Sequence, residues 1–121
     1  MQILIYAMLD SSIELMLERM LLRIPGVTIS VFNAIQKFYN FIAEHRIDPC
    51  VIITVVERSK DFYTLHSLFE HNEPDNLIII CDDTAEMISL AHELRPRYLA
   101  HFNDLDKVKA VVEKMMHLVG N

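Results

Sequence analysis

A hydroxyl, a thiol and an imidazole at the ends of three apolar runs are the nearest this 121-residue chain comes to a reactive set: Thr54, Cys81 and His101. A hydroxyl or thiol nucleophile needs a base within hydrogen-bond reach and a third group to orient that base. His101 supplies a base for Thr54 or Cys81, but no third group is evident. A second set is acidic. Asp10, Glu57, Asp82 and Asp83 follow the same runs, and hard divalent cations take clustered carboxylates. Asp10 and the Asp82-Asp83 pair also precede helical patterns, where carboxylates act as caps and dipole partners. That simpler explanation is preferred, so no metal is expected.

Other chemistries lack their spacing. His45, His66, His71, His92 and His117 form no HxxxH pair, and no CxxC occurs, so zinc is not expected. Gly26 and Gly120 are the only glycines, which leaves no Gly-rich phosphate loop. Asp10-Ser11-Ser12 is a thin version of a flavin-phosphate loop and reads better as a helix cap. No cofactor is expected.

The groups must be positioned by a single domain spanning 1–121 with 52% hydrophobic residues, enough for a core without a metal or disulfide. The net charge is −6, which opposes the counterion-release attraction behind nucleic-acid binding. No membrane span and no export signal is read, so a cytoplasmic location is the expectation.

Three runs are almost continuously apolar: residues 2–8, 50–56 and 77–81. Strands of that kind are covered on both faces. Residues 27–31 alternate and residues 97–101 begin with Arg97, so both read as sheet edges. The gaps are too long for hairpins and suit crossover helices. Asp10 or Ser11 caps the first, with Ile13, Met16, Leu17, Met20, Leu21 and Ile24 inward and Pro25-Gly26 as its stop. Asn33 caps the second, with Ile35, Phe38, Tyr39 and Ile42 inward. Ser59 opens the third (Phe62, Leu65, Leu68, Phe69) and Thr84 the fourth (Met87, Leu90, Ala91, Leu94). Asn103 or Asp104 caps the fifth (Leu105, Val108, Val112, Met115, Val119). The fold class is α/β: a (βα)5 three-layer sandwich whose right-handed crossovers give the flavodoxin-like order 2-1-3-4-5. Cys50 and Cys81 then lie at opposite sheet ends, about four residues or ~13 Å apart. That exceeds disulfide reach, and both are expected reduced.

The whole chain resembles the receiver domain of bacterial response regulators, the CheY-like family. Asp48-Pro49-Cys50-Val51-Ile52-Ile53-Thr54 is placed like the family's "PDVVLLD". Tyr98-Leu99-Ala100-His101 is placed like its "YLxKP", and Asn103-Asp104-Leu105 resembles the opening of its last helix. Receivers move a phosphoryl group onto an aspartate ending strand 3, beside an acidic pair holding Mg²⁺, a Thr or Ser and a Lys. Positioning and charge neutralisation supply nearly all the rate of such transfers. By resemblance the acceptor falls on Thr54 and the acidic pair on Ala7-Met8 or Met8-Leu9. The hydroxyl falls on Cys81 and the lysine on His101. Of the loop after strand 3 only Asp61 matches, with Phe62 in place of a glycine, while Tyr98 matches the family's switch aromatic outright.

Every phosphoryl-handling position differs, which implies a pseudo-receiver: not an enzyme, and acting in two-component signalling or transcriptional regulation by protein–protein contact. Receivers commonly pair or bind partners through helix 4, strand 5 and helix 5, so the resemblance allows a homodimer there. Ile88, Tyr98, Val111, Met115 and Leu118 could form the patch; the plainer reading is scattered surface apolars. Leu15 and Leu22 on helix 1, Phe41 on helix 2 and Met116 on helix 5 also fall off the inward stripes. The competing expectation is a small flavodoxin-like enzyme or ligand-binding domain using Thr54, Cys81 and His101.

Overall fold

Runs of Ile, Leu and Val without polar alternation are satisfied only between two covering layers, and the three such runs become the central strands. The computed structural model describes residues 1–8, 12–45, 50–70 and 73–119, with His45, Leu118 and Val119 by backbone alone. The strands are β1 (Gln2–Ala7), β2 (Thr28–Phe32), β3 (Cys50–Val55), β4 (Leu77–Ile80) and β5 (Tyr98–Ala100). They alternate with α1 (Ser12–Leu21), α2 (Ile35–His45), α3 (Ser59–Phe69), α4 (Ala85–Glu93) and α5 (Leu105–Val119). All strand pairs are parallel and the order is β2-β1-β3-β4-β5. This is the flavodoxin-like (βα)5 layout, with β2 and β5 at the edges.

Successive strand residues point to opposite faces, which divides the core in two. Ile3, Ile5, Ala7, Val51, Ile53, Val55, Ile78 and Ile80 pack under α1 and α5, against Leu17, Leu21, Val108, Val112 and Met115. Leu4, Tyr6, Ile52, Val56, Leu77, Ile79 and Cys81 pack under α2, α3 and α4, against Phe38, Leu65, Phe69 and Ala91. Each fully buried Ile or Leu stabilises by about 1.5–3 kcal/mol, so both layers favour this register. A one-residue slip of any central strand would exchange its two faces.

The helix ends follow local chemistry. Thr84 caps α4, its Oγ1 accepting from the Met87 amide at 3.3 Å. The turn after α1 passes through Gly26 at φ +80°, a left-handed conformation that costs glycine little. A single 3₁₀ turn, Phe102–Asp104, precedes α5. Asp10 and Ser11 lie outside the described residues.

Two inward assignments change. Met16 is 56% exposed, because the buried side of α1 runs through Leu17 and Leu21 and continues to Ile24 in the turn beyond it. Tyr39 is 42% exposed; Phe41 turns in instead, its ring centroid 5.3 Å from that of Phe32. Neither cysteine forms a disulfide. Their separation exceeds the four residues expected. Ile52 pairs with Leu77 and Val55 with Ile80, while Cys50 precedes that block by two residues and Cys81 follows it by one. The strand rise then puts them roughly 20 Å apart.

Candidate functional site

Ligands of parallel α/β sheets sit beyond the carboxyl ends of the strands, here near Ala7, Val55, Ile80 and Ala100. At the end of β1, Ala7 is buried under α1 and α5, and Met8 packs half-buried on the other face. The carbonyl of Ala7 is already engaged, because Asn33 Nδ2 donates to it at 2.9 Å. The same Nδ2 donates to Glu14 Oε2 at 2.9 Å. One amide thus ties β1, α1 and the β2–α2 turn together. The expectation for Asn33 was a helix cap, and no short-range pattern signals its link across the strand end.

Thr54 is one residue short of the end of β3 and 0% exposed. It shares parity with Ile52 and Val56, so it belongs to the face under α2, α3 and α4. In the register it stands beside Tyr6 on β1 and Ile79 on β4. Thr54 Oγ1 and Tyr6 Oη are buried without a hydrogen-bond partner among the described residues. Burial first, and the Asp61 carboxylate second, push the Tyr6 hydroxyl up to about 12. Asp61 itself is buried in the first turn of α3 and paired with Arg58 at 3.4 Å. A carboxylate there also gains from the helix dipole.

The ends of β4 and β5 meet through Cys81 and His101. His101 Nδ1 lies 3.1 Å from the Cys81 carbonyl oxygen. A carbonyl only accepts, so Nδ1 carries the proton and donates. His101 Nε2 reaches 4.0 Å from the exposed Asp83 carboxylate. The Cys81 thiol is raised to about 11 by burial, then by Asp82 and Asp83. Nucleophilic cysteines have the opposite surroundings, electropositive and partly exposed. Cys81 thus stays a protonated thiol at neutral pH.

The carboxylates do not converge: among the described residues no three His, Cys, Asp or Glu side chains come together to hold a metal ion. Glu57 is half-buried after β3, while Asp82 and Asp83 are exposed after β4. On the α4–β5–α5 side, Ile88, Tyr98 and Val111 are half-buried. Met115, expected both inward and at an interface, is 6% exposed and belongs to the core. The stripe Leu105, Val108, Val112, Met115 carries it inward. The Leu118 side chain lies outside the described residues. Among the described residues the large exposed apolar side chains are Leu15, Met16, Leu22, Tyr39 and Tyr63, on or just beyond α1, α2 and α3.

Neither the models of known protein families nor curated proteins match the chain. No helix among the described residues is long and apolar enough to cross a membrane.

Proposed function

We propose that this domain is a receiver-like module that takes no phosphoryl group and acts by binding another protein. The observation that carries the reading is the sealed hydroxyl of Thr54, flanked at the strand ends by Ala7 and Val55. A buried, neutral hydroxyl without a base is a poor acceptor, and alanine, methionine and valine offer no side-chain carboxylate to Mg²⁺. The protonated Cys81 thiol and the committed Nδ1 of His101 add no cationic clamp of the lysine kind.

In this reading the domain has one docking-competent state and needs no phosphoryl trigger. Output then follows partner concentration. A cytoplasmic signalling or transcriptional setting, without nucleic-acid contact by this domain, agrees with the charge of −6. Self-association through Ile88, Tyr98 and Val111 is a further part of the proposal. The test is sedimentation and amide NMR with and without beryllofluoride and Mg²⁺. Unchanged spectra and sedimentation are expected; shifts centred on residues 54–57 and 81–83 would overturn the reading.

A further inference from the structure

A groove runs between α3 and α4, away from the strand ends. One compartment of about 180 Å³ has Phe62, Leu90 and Leu94 as apolar walls, with Tyr63, His66 and Glu93 completing its lining. The adjoining compartment, about 230 Å³, continues past Phe69 to Glu70, Glu73, Glu93 and Arg95. Phe62, Phe69 and Leu94 are buried, whereas Tyr63 is 66% exposed.

Acidic charge accumulates toward the second compartment, while His66, Glu93 and Leu94 line both. The second carries three exposed glutamates against one guanidinium. It also receives the ends of two helices, since α3 stops at Phe69 and α4 at Glu93. A helix carboxyl end carries roughly half a negative charge, so both termini reinforce the carboxylates. Arg95 is the one described non-glycine residue with positive φ, at 54°. A left-handed arginine is held there against the steric crowding of its Cβ. Crossover helices run antiparallel to their strands, so this acidic end lies at the amino edge of the sheet, opposite His101.

We propose that this groove docks a basic amphipathic segment of a partner protein. Its apolar side chains seat between Phe62, Phe69, Leu90 and Leu94, and its Lys or Arg side chains meet Glu70, Glu73 and Glu93. The proposal rests on the protein-binding reading above and names the surface and the chemistry of the partner. Each compartment, about 180 and 230 Å³, is on the scale of one or two side chains. Helix-in-groove recognition uses such anchors at i, i+3 or i+4 and i+7. An exposed tyrosine at the mouth is the residue type that dominates interface energetics. The acidic rim repels nucleic acid and anionic lipid and selects a cationic segment.

The probe is a synthetic peptide of leucine and lysine at helical spacing, compared with the same peptide carrying glutamate for lysine. Amide shifts should map to Phe62, Tyr63, His66, Leu90 and Leu94 with the basic peptide and be absent with the acidic one. Glu70→Lys with Glu93→Lys should weaken binding roughly tenfold. Both positions are exposed, and circular dichroism checks that the variant folds. Tyr63→Ala should weaken binding without altering its salt dependence. Shifts on another face, or equal affinity for the charge-reversed variant, would overturn the proposal. A phosphoryl adduct on the domain would remove the proposed function and leave the groove standing. Failure of the peptide map without an adduct would remove the groove alone.

Discussion

Tyr6 and Thr54 stand opposite each other in the β1–β3 register, and both hydroxyls are sealed in the core without a hydrogen-bond partner among the described residues. An unsatisfied buried hydroxyl costs about 1–3 kcal/mol, and Thr54 is the position onto which the resemblance maps a receiver's acceptor.

Thr54→Val should therefore stabilise the domain by about 1 kcal/mol, seen as a higher urea midpoint at unchanged slope. Thr54→Asp should do the reverse. A carboxylate buried between Tyr6 and Ile79 without a cationic partner should lose about 3 kcal/mol or more. Equal stability of the aspartate variant would mean that position 54 reaches solvent.

Alkaline pH should weaken the fold through two groups. Folding raises the Cys81 thiol to about 11 from 9.0 and the Tyr6 hydroxyl to about 12 from 10.0. Between each pair of values the unfolded chain has lost the proton that the folded chain keeps, so stability falls as pH rises. The contribution is complete below about pH 9 and fades up to about pH 12. Denaturation at stepped pH measures it. Cys81→Ala and Tyr6→Phe should each flatten part of the decline.

Arg95→Gly should stabilise by about 1 kcal/mol, because φ 54° suits glycine at the carboxyl end of α4. Thermal denaturation would show a raised midpoint. A fall instead would mean that contacts of the arginine side chain outweigh the backbone strain.

Asn33→Ala removes both the bond to the Ala7 carbonyl and the bond to Glu14. A loss of about 1 kcal/mol is expected, with faster amide exchange along α1 and at Met8. Exchange confined to the β2–α2 turn would show that the amide does not hold the strand end.

The layout was legible because its central strands are written as unbroken Ile, Leu and Val runs and its gaps carry helical periods. Boundaries of helix stripes were less so. Met16 and Tyr39 sit at the margins of their stripes, and neighbours such as Phe32 decide which margin turns inward. The burial of Thr54 depends on register and parity, because a polar residue next to a strand end reads alike whether it faces helix or solvent. Asn33 and Ala7 are joined across a separation of 26 residues, beyond any local pattern. The α3–α4 groove arises from lateral helix spacing, which the sheet sets and no single segment encodes.

The most direct measurement is intact mass after incubating the purified domain with Mg²⁺ and acetyl phosphate. A single unmodified species is expected, with no phosphoryl adduct and no dependence on Mg²⁺. A Mg²⁺-dependent adduct on a residue at the carboxyl ends of the strands would contradict the reading of this domain as a phosphoryl-independent binding module.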